Sequence, residues 1–267
     1  MIEKIFTKIQ KLAFNTYVYF LKKRASYGQL PIQLVNYEKL YDKKTGGWYN
    51  FYTKGPSFGS VELEVGRFYY AFVQMLQPKM VLETGVFNGY STACIAAALK
   101  DLNNGGHIFG IDPAHIHHLW EKTDLKSLIT WIPTLSQEAV SFIEGKIFDL
   151  LVLDSDHSYK TIMWELIHFE KYLKVGGHIL MHDSLYFDGV GAAVKQLYRN
   201  PRFEVITLNS PRTHGNDTRC PGVTIVRKIA EGHPALEYEQ EFDDWVIGDA
   251  STTPYLRDIQ HTTISTN

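Results

Sequence analysis

Residues 81–91 have the sequence V-L-E-T-G-V-F-N-G-Y-S, an apolar strand followed by two glycines and the start of a helix. Glycines at a strand-to-helix turn let the backbone approach a ligand closely, and the amides that begin the helix favour an anionic group. The segment therefore predicts a nucleotide-type cradle. Gly85 and Gly89 lack the middle glycine of the dinucleotide fingerprint, so Phe87 stands on the expected path of a pyrophosphate. Glu83 precedes them, where a carboxylate would meet a cationic group directly or through water.

From Met80 onward, short apolar runs alternate with helix-like segments, a pattern typical of a parallel sheet with helices on both faces. The predicted strands are residues 80–82, 107–111, 128–132, 150–153 and 178–181. Two later β-rich runs, 203–208 and 222–227, flank a polar loop and predict a hairpin at the edge of the sheet. The predicted fold class is α/β, with a doubly wound, mostly parallel sheet and a C-terminal antiparallel hairpin.

Length and composition favour one large domain with extensions. The chain has 267 residues, of which 45% are hydrophobic and 21% charged, so a substantial core needs no disulfides. We expect residues 61–228 to form the ligand-binding domain. An amphipathic helix and an aromatic cover would occupy residues 1–60, and an acidic, partly disordered tail residues 229–267. The apolar part of the first 24 residues is too short for a membrane span and ends in Lys-Lys-Arg, which predicts neither a signal peptide nor an anchor.

Charge and cysteine content exclude several classes of protein. A formal net charge of −2 gives no electrostatic reason to bind nucleic acid. Two cysteines are too few for a disulfide framework or a cysteine-based zinc site, so we expect a reducing compartment, the cytoplasm. The basic amino-terminal helix fits packing on its own domain, contact with a partner subunit, or contact with an acidic membrane surface.

The second predicted strand ends in an acidic residue. Residues 108–113 have the sequence I-F-G-I-D-P, which puts Asp112 27 positions after Gly85 (112 − 85). An acid at the end of the second strand is suited to accept the two hydroxyls of a ribose. A turn-forming aspartate before Pro113 is the local alternative. Together with the cradle, Asp112 predicts a nucleoside clamp.

With these motifs the chain resembles the class I S-adenosylmethionine-dependent methyltransferases, which have a Rossmann-like fold. It is most similar to the catechol-type O-methyltransferases and to a related bacterial group whose fourth strand ends in Asp-x-Asp-His-Ser-Tyr. The resemblance covers about residues 60–228. The residues that it implies for S-adenosylmethionine binding are Glu83, Gly85, Phe87, Gly89, Tyr90, Ser91, Asp112, Ser136, Gln137 and Asp154. For the segment at the adenine edge, a helix capping box formed by Thr134 and Gln137 is the local alternative.

Acidic and histidine side chains follow the fourth and fifth predicted strands. The fourth strand continues as L-V-L-D-S-D-H-S-Y over 151–159, and the fifth as H-I-L-M-H-D-S over 178–184. The carboxyl ends of parallel strands meet at one edge of the sheet, where such folds bind ligands. We therefore expect these side chains to converge beside the cofactor.

The resemblance implies that three of these residues hold a divalent metal: Asp154, His182 and Asp183. It also implies that His157 is the catalytic base, with Asp154 beside it. Carboxylates suit Mg²⁺ or Mn²⁺. The imidazole of His182 stands where the catechol group has an acid or amide, and it favours Mn²⁺, Fe²⁺ or Zn²⁺. In a metal-free alternative, His157 is a general base oriented by Asp156 or Asp183.

These features predict a cytoplasmic O-methyltransferase that acts on a hydroxyl of a small molecule or sugar; the resemblance implies a homodimer. Two other classes of protein share some of these sequence features. An NAD-dependent oxidoreductase has the same fold and ribose acid, but it needs a glycine-rich turn that residues 81–91 do not match. A non-catalytic S-adenosylmethionine-binding protein would keep the cradle and tolerate loss of His157 and Asp154.

Overall fold

The computed structural model describes residues 60–114, 118–121, 123–209 and 220–239, together with Thr16 and the backbone of residues 41–42, 47–50 and 55–57. The predicted amino-terminal helix, most of the aromatic cover and the tail beyond residue 239 lie outside these residues. Within the cover, three short strands form an antiparallel sheet: β1 (Tyr41–Asp42), β2 (Gly47–Asn50) and β3 (Gly55–Ser57). Strands of two to four residues are too short to produce a recognisable alternation in the sequence.

A seven-stranded sheet forms the centre of the domain. Its strands are β4 (Met80–Thr84), β5 (His107–Ile111), β6 (Ile129–Ile132), β7 (Phe148–Leu153), β8 (Leu173–His182), β9 (Phe203–Leu208) and β10 (Val223–Lys228). Their order is β6-β5-β4-β7-β8-β10-β9, and β10 runs antiparallel to both of its neighbours. The prediction of a mostly parallel sheet with an antiparallel hairpin is confirmed.

Five helices accompany the sheet in the described residues: α1 (Leu63–Leu76), α2 (Tyr90–Leu102), α3 (Val140–Ile143), α4 (Tyr159–Phe169) and α5 (Asp188–Arg199). Leu150 and Val152 of β7 pack in the same core as α1 and α2, whereas Leu151 and Leu153 pack with α4 and α5. Successive side chains of a strand point to opposite faces, so a strand covered on both sides is apolar throughout. None of the helices in the described ranges is long and apolar enough to cross a membrane.

The strand order reverses beside β4, since the chain passes from β4 to β5 and β6 and then returns to β7 on the other side. Folds of this kind bind ligands in the crevice at such a switch point. Gly85 leaves β4 here with φ +79°, and a Cβ at this position would lie 1.8 Å from the backbone oxygen of Asp154. Only glycine can therefore carry the chain across the end of β7.

The packing of the domain continues past the expected boundary at residue 228. Leu236 is buried, and the carbonyl oxygen of Pro234 accepts hydrogen bonds from Asn200 Nδ2 at 2.9 Å and Arg202 Nε at 2.8 Å. Residues 229–239 therefore form an ordered strap on the domain, and the part of the predicted tail that follows lies outside the described residues.

Candidate functional site

A cavity of about 740 Å³ opens at the carboxyl ends of β4, β5, β7 and β8, a volume within the usual range for small-molecule and cofactor sites. The predicted site residues that line it are Gly85, Phe87, Tyr90, Ser91, Asp112, Ser136, Gln137, Asp154, His157, His182 and Asp183. Glu83 and Gly89 are not among the lining residues. The topology thus brings two groups predicted from separate segments into one cavity: the cradle, and the histidines and carboxylates.

Asp112 braces the turn of the cradle. Its Oδ2 accepts a hydrogen bond from the backbone amide of Phe87 at 2.6 Å, and its Oδ1 accepts one from the amide of Ala114 at 2.7 Å. Each carboxylate oxygen has two lone pairs, so Asp112 can hold this turn and still accept a hydrogen bond from a ligand in the cavity. The local turn considered from the sequence is therefore present, and it does not prevent Asp112 from acting as a clamp.

Glu83 stabilises the cradle from the buried side, away from the cavity. Its side chain is fully buried, and its Oε2 accepts a hydrogen bond from Thr92 Oγ1 of α2 at 2.5 Å. Burial raises the pKa of Glu83 to about 7, while the hydroxyls of Ser91 and Thr92 oppose this shift. Gly89 begins α2 with φ +81°, and a Cβ there would lie 2.5 Å from Trp120 Nε1. Both residues therefore shape the cradle without lining the cavity.

The expected adenine-edge segment is anchored by a glutamate that the sequence analysis did not single out. Glu165 of α4 is fully buried and accepts hydrogen bonds from Ser136 Oγ and from Thr84 Oγ1, the latter at 3.0 Å. It joins the end of β4 to the short helical turn at residues 136–138. No local motif in the sequence marks Glu165.

The capping box considered for Thr134 and Gln137 does not form. The turn at residues 136–138 has Leu135 as its N-cap, with no side-chain hydrogen bond. Thr134 Oγ1 instead donates to Glu138 Oε2 at 2.6 Å. Ser136 and Gln137 both line the cavity, as the resemblance implies.

Replacing Glu165 by glutamine is expected to make the free energy of unfolding less dependent on pH. Burial raises the pKa of Glu165 from 4.5 to about 7, against the hydroxyls of Ser136, Ser155 and Thr84. Between these values the folded protein keeps a proton that the unfolded chain has released, so stability falls as the pH rises. One pKa unit corresponds to about 1.4 kcal/mol, so this side chain should account for a loss of about 3 kcal/mol.

Urea denaturation at pH 4.5 and pH 8 of wild type, Glu165→Gln and the exposed control Glu144→Gln measures this difference. The control should follow the wild type. If all three proteins lost the same free energy of unfolding between these pH values, the assignment of the loss to Glu165 would be wrong.

Two histidines and two aspartates meet at the ends of β7 and β8. Asp154 Oδ1 lies 3.3 Å from both His157 Nε2 and His182 Nδ1. Asp183 Oδ2 lies 3.2 Å from His157 Nε2 and 3.5 Å from His182 Nδ1. One ligand atom from each of Asp154, His182 and Asp183 lies within 4.8 Å of the others. The structure thus brings together the three residues expected to hold a metal and the expected base.

The direction of the Asp183 side chain depends on an unusual backbone conformation. Its φ is +56°, in the left-handed region that aspartate enters more readily than most residues. Its carbonyl oxygen accepts hydrogen bonds from the amides of Tyr186 and Phe187, both at 3.0 Å. These two bonds stabilise a conformation that costs energy, and such conformations cluster at functional sites.

The electrostatics of this cluster favour charged histidines. Burial disfavours the imidazolium of His157, but hydrogen bonds to Asp154 and Asp183 outweigh it and raise the pKa of His157 to about 9. Burial is likewise outweighed at His182, where the charges of Asp183 and Asp154 hold the pKa well above its usual value. Burial raises the pKa of Asp154, yet the two histidines leave it below its usual value. The carboxylate of Asp154 is therefore held ionised and attracts positive charge.

Two further residues of this site have no signal in the sequence. Phe187 stacks on the His157 ring, with centroids 4.2 Å apart and planes 20° apart. Glu62 is buried, and its Oε2 lies 3.0 Å from His182 Nε2. Glu62 precedes the first described helix, 120 positions before His182, so only the tertiary fold relates the two.

Part of the chain is similar to known methyltransferases. Residues 82–184 match a family model described as a methyltransferase domain. A caffeoyl-CoA O-methyltransferase from Populus kitakamiensis is 26% identical over 193 residues, covering 64% of this chain and 78% of that protein.

Solved structures share the fold. An O-methyltransferase from Bacillus cereus in complex with SAH aligns with a TM-score of 0.54 and 19% identity, covering 63% of this chain and 82% of that one. An SAH-bound methyltransferase from Podospora anserina aligns with a TM-score of 0.53 and 17% identity, covering 80% and 96%.

Proposed function

We propose that this chain, whose residues 82–184 match a methyltransferase domain, is a class I S-adenosylmethionine-dependent O-methyltransferase. It would methylate a hydroxyl of a small molecule held beside His157 and a divalent metal. The observation that carries this proposal is the shared cavity. One side of it has the cradle and Asp112, and the other has the cluster of His157, His182 and the two aspartates. A nucleoside cofactor in the cradle would thus lie next to an acidic, imidazole-bearing acceptor site.

For the cofactor, we propose that Asp112 accepts the ribose hydroxyls and that Ser136 and Gln137 contact the adenine edge. Gly85 and Phe87 would border the methionine part. S-adenosylmethionine supplies an electrophilic methyl group on a positively charged sulfur. The ionised carboxylate of Asp154, which lines the same cavity, would favour that positive charge.

For the metal, we propose that Asp154, His182 and Asp183 provide the ligands, with an imidazole beside two carboxylates. This donor set fits a divalent ion of intermediate softness, and we expect Mn²⁺ to bind better than Mg²⁺. A bound divalent ion acts as a Lewis acid that lowers the pKa of a coordinated hydroxyl and orients it.

We propose that His157, in its neutral form, accepts the proton that the acceptor hydroxyl loses. A divalent ion held by Asp154 and Asp183 would lower the pKa of His157 from about 9, because the positive charge of the ion disfavours the imidazolium. Its Nε2 lies between the two aspartates, and Phe187 stacks on its ring and limits its rotation. Phe187 and Tyr186 also line the cavity. These aromatic walls suit a flat, weakly polar acceptor better than a sugar, although both carry the required hydroxyl.

Calorimetric titration with S-adenosylmethionine, followed by turnover of catechol as a probe acceptor, tests the proposal. We expect binding without metal, and turnover with Mn²⁺ that is lost with EDTA and in Asp183→Ala. Turnover that EDTA leaves unchanged would support the metal-free alternative with His157 alone. Absence of S-adenosylmethionine binding would contradict the assignment of the cavity.

Asp112→Ala is expected to weaken S-adenosylmethionine binding by about 10- to 150-fold, because hydrogen bonds to a charged group contribute about 1.5–3 kcal/mol. Calorimetry measures the Kd. Asp101→Ala is the matched control, since Asp101 is exposed and accepts its hydrogen bond from Tyr70 at the far end of α2. Equal Kd values for the Asp112 variant and the wild type would exclude the ribose role.

Several finer features also remain proposals. We propose a cytoplasmic location and a homodimer, the first from the low cysteine content and the second from the family resemblance. We also propose that residues 1–60 cover the acceptor side of a domain formed by residues 61–228.

A further inference from the structure

The imidazole of His182 lies between Glu62, near the start of the domain, and the two aspartates Asp154 and Asp183. Its Nδ1 faces Asp154 Oδ1 at 3.3 Å and Asp183 Oδ2 at 3.5 Å. Its Nε2 lies 3.0 Å from Glu62 Oε2. Glu62 is the N-cap residue of α1, and the side chains of Glu62 and His182 are both more than nine-tenths buried.

We propose that Glu62 is a positioning residue for His182, an inference that rests on the proposed metal site. Although the cluster without a metal favours a charged His182, a histidine that binds a metal is neutral, so metal binding releases one proton from the ring. The neutral imidazole has one N–H and one lone pair. When Nε2–H donates to Glu62, the lone pair is on Nδ1 and points toward the two aspartates. Histidines that bind metals commonly donate their other N–H to a carboxylate, which fixes the tautomer and the ring orientation.

The backbone around Glu62 is held firmly enough for this role. Its neighbours Val61 and Leu63 are buried in the core formed with α2 and one face of the sheet. Glu62 O also accepts a hydrogen bond from the amide of Gly66 at 3.0 Å. The carboxylate thus projects from a fixed helix start, so its direction is determined before any ligand binds.

The donors of the cluster also suit a cation. One ligand atom from each of Asp154, His182 and Asp183 lies within 4.8 Å of the others. No lysine or arginine is among the described residues that line the cavity, so no side-chain ammonium or guanidinium there competes with a metal ion. The hydrogen bond to Glu62 leaves Nδ1 of His182 directed at the two aspartates.

The test is metal binding by the full chain, with Mn²⁺ as the probe and the electron paramagnetic resonance signal of free Mn²⁺ as the measurement. Glu62→Ala and the volume-matched Glu62→Leu should raise the Kd for Mn²⁺ by about 10- to 100-fold. Glu62→Gln keeps an oxygen that accepts from Nε2–H and should stay within about threefold of the wild type. The control Glu64→Gln removes a charge two positions away and should bind Mn²⁺ normally.

Two readouts separate positioning from a general structural effect. The Kd for S-adenosylmethionine should be unchanged in all four variants. The visible absorption of the Co²⁺-loaded protein should change in Glu62→Leu and be retained in Glu62→Gln. If Glu62→Ala does not fold, Glu62→Leu decides the outcome.

Two results would overturn the inference, and they differ in what they leave standing. Normal Mn²⁺ binding by folded Glu62→Leu, or equal weakening in Glu62→Gln and Glu62→Leu, would overturn the role of Glu62 alone. A wild type that binds S-adenosylmethionine and methylates catechol, but binds neither Mn²⁺ nor Co²⁺, would overturn the metal site and this inference together.

Discussion

His157→Ala lowers the kcat of methyl transfer by about 10²- to 10⁴-fold, the range expected for loss of a general base, and leaves the Kd for S-adenosylmethionine unchanged. The reason is the position of the side chain. His157 Nε2 contacts Asp154 and Asp183 at 3.3 and 3.2 Å, whereas the cradle is built by residues 85–91 and Asp112. Steady-state kinetics at saturating cofactor and calorimetry of the same preparation measure the two quantities.

His107→Ala is the matched control for this experiment. His107 begins β5, at the end of the sheet away from the cavity, and pairs with Thr130. Its removal should change neither kcat nor cofactor affinity. An unchanged kcat in the His157 variant would contradict the general base, and unchanged methyl transfer in Asp154→Ala as well would remove the proposed catalytic pair.

Glu170→Ala is expected to reduce the free energy of unfolding by about 3–5 kcal/mol, since it removes a carboxylate that two buried cations share. Lys228 is fully buried, with its Nζ 2.8 Å from Glu170 Oε1. Arg202 Nη1 lies 2.9 Å from the same oxygen, and Arg202 is also buried. This cluster ties β10 and the strap of residues 229–239 to the end of α4. Urea denaturation measures the loss.

An exposed ion pair elsewhere on the sheet provides the comparison. Glu204 and Arg227 are 3.1 Å apart, with 59% and 51% of their side chains exposed. Because water screens such a pair, Glu204→Ala should lose only about 0–1 kcal/mol. Similar losses in Glu204→Ala and Glu170→Ala would mean that Glu231, whose Oε1 lies 2.7 Å from Lys228 Nζ, compensates for the missing carboxylate.

Local patterns predicted the central sheet well. The apolar runs of β4, β5 and β7 are uniform because both faces of these strands are covered, and this uniformity is visible in the sequence. The glycines at 85 and 89 marked the turn because both adopt positive φ angles. The three-stranded sheet of residues 41–57 was not predicted, since its strands are too short for a periodic pattern.

The candidate site likewise contains residues that the sequence predicted and residues that it did not. Asp112, Asp154, His157, His182 and Asp183 could be predicted because each lies at the end of a strand or within four residues after it, and parallel strands end at one edge. Glu62, Glu165 and Phe187 could not. Their roles depend on distances across the fold, such as the 3.0 Å between Glu62 Oε2 and His182 Nε2.

The sequence by itself determined the order of strands and helices and the chemistry at the strand ends, because these depend on residues close together in the chain. Only the tertiary structure decided which side chain meets which. Burial and hydrogen bonding act between residues far apart in sequence, as between Glu62 and His182 or Glu165 and Ser136. Folding also sets the pKa values of the site. Burial disfavours the charged form of His157, but Asp154 and Asp183 outweigh it and raise its pKa to about 9, whereas burial itself raises the pKa of Glu165 to about 7.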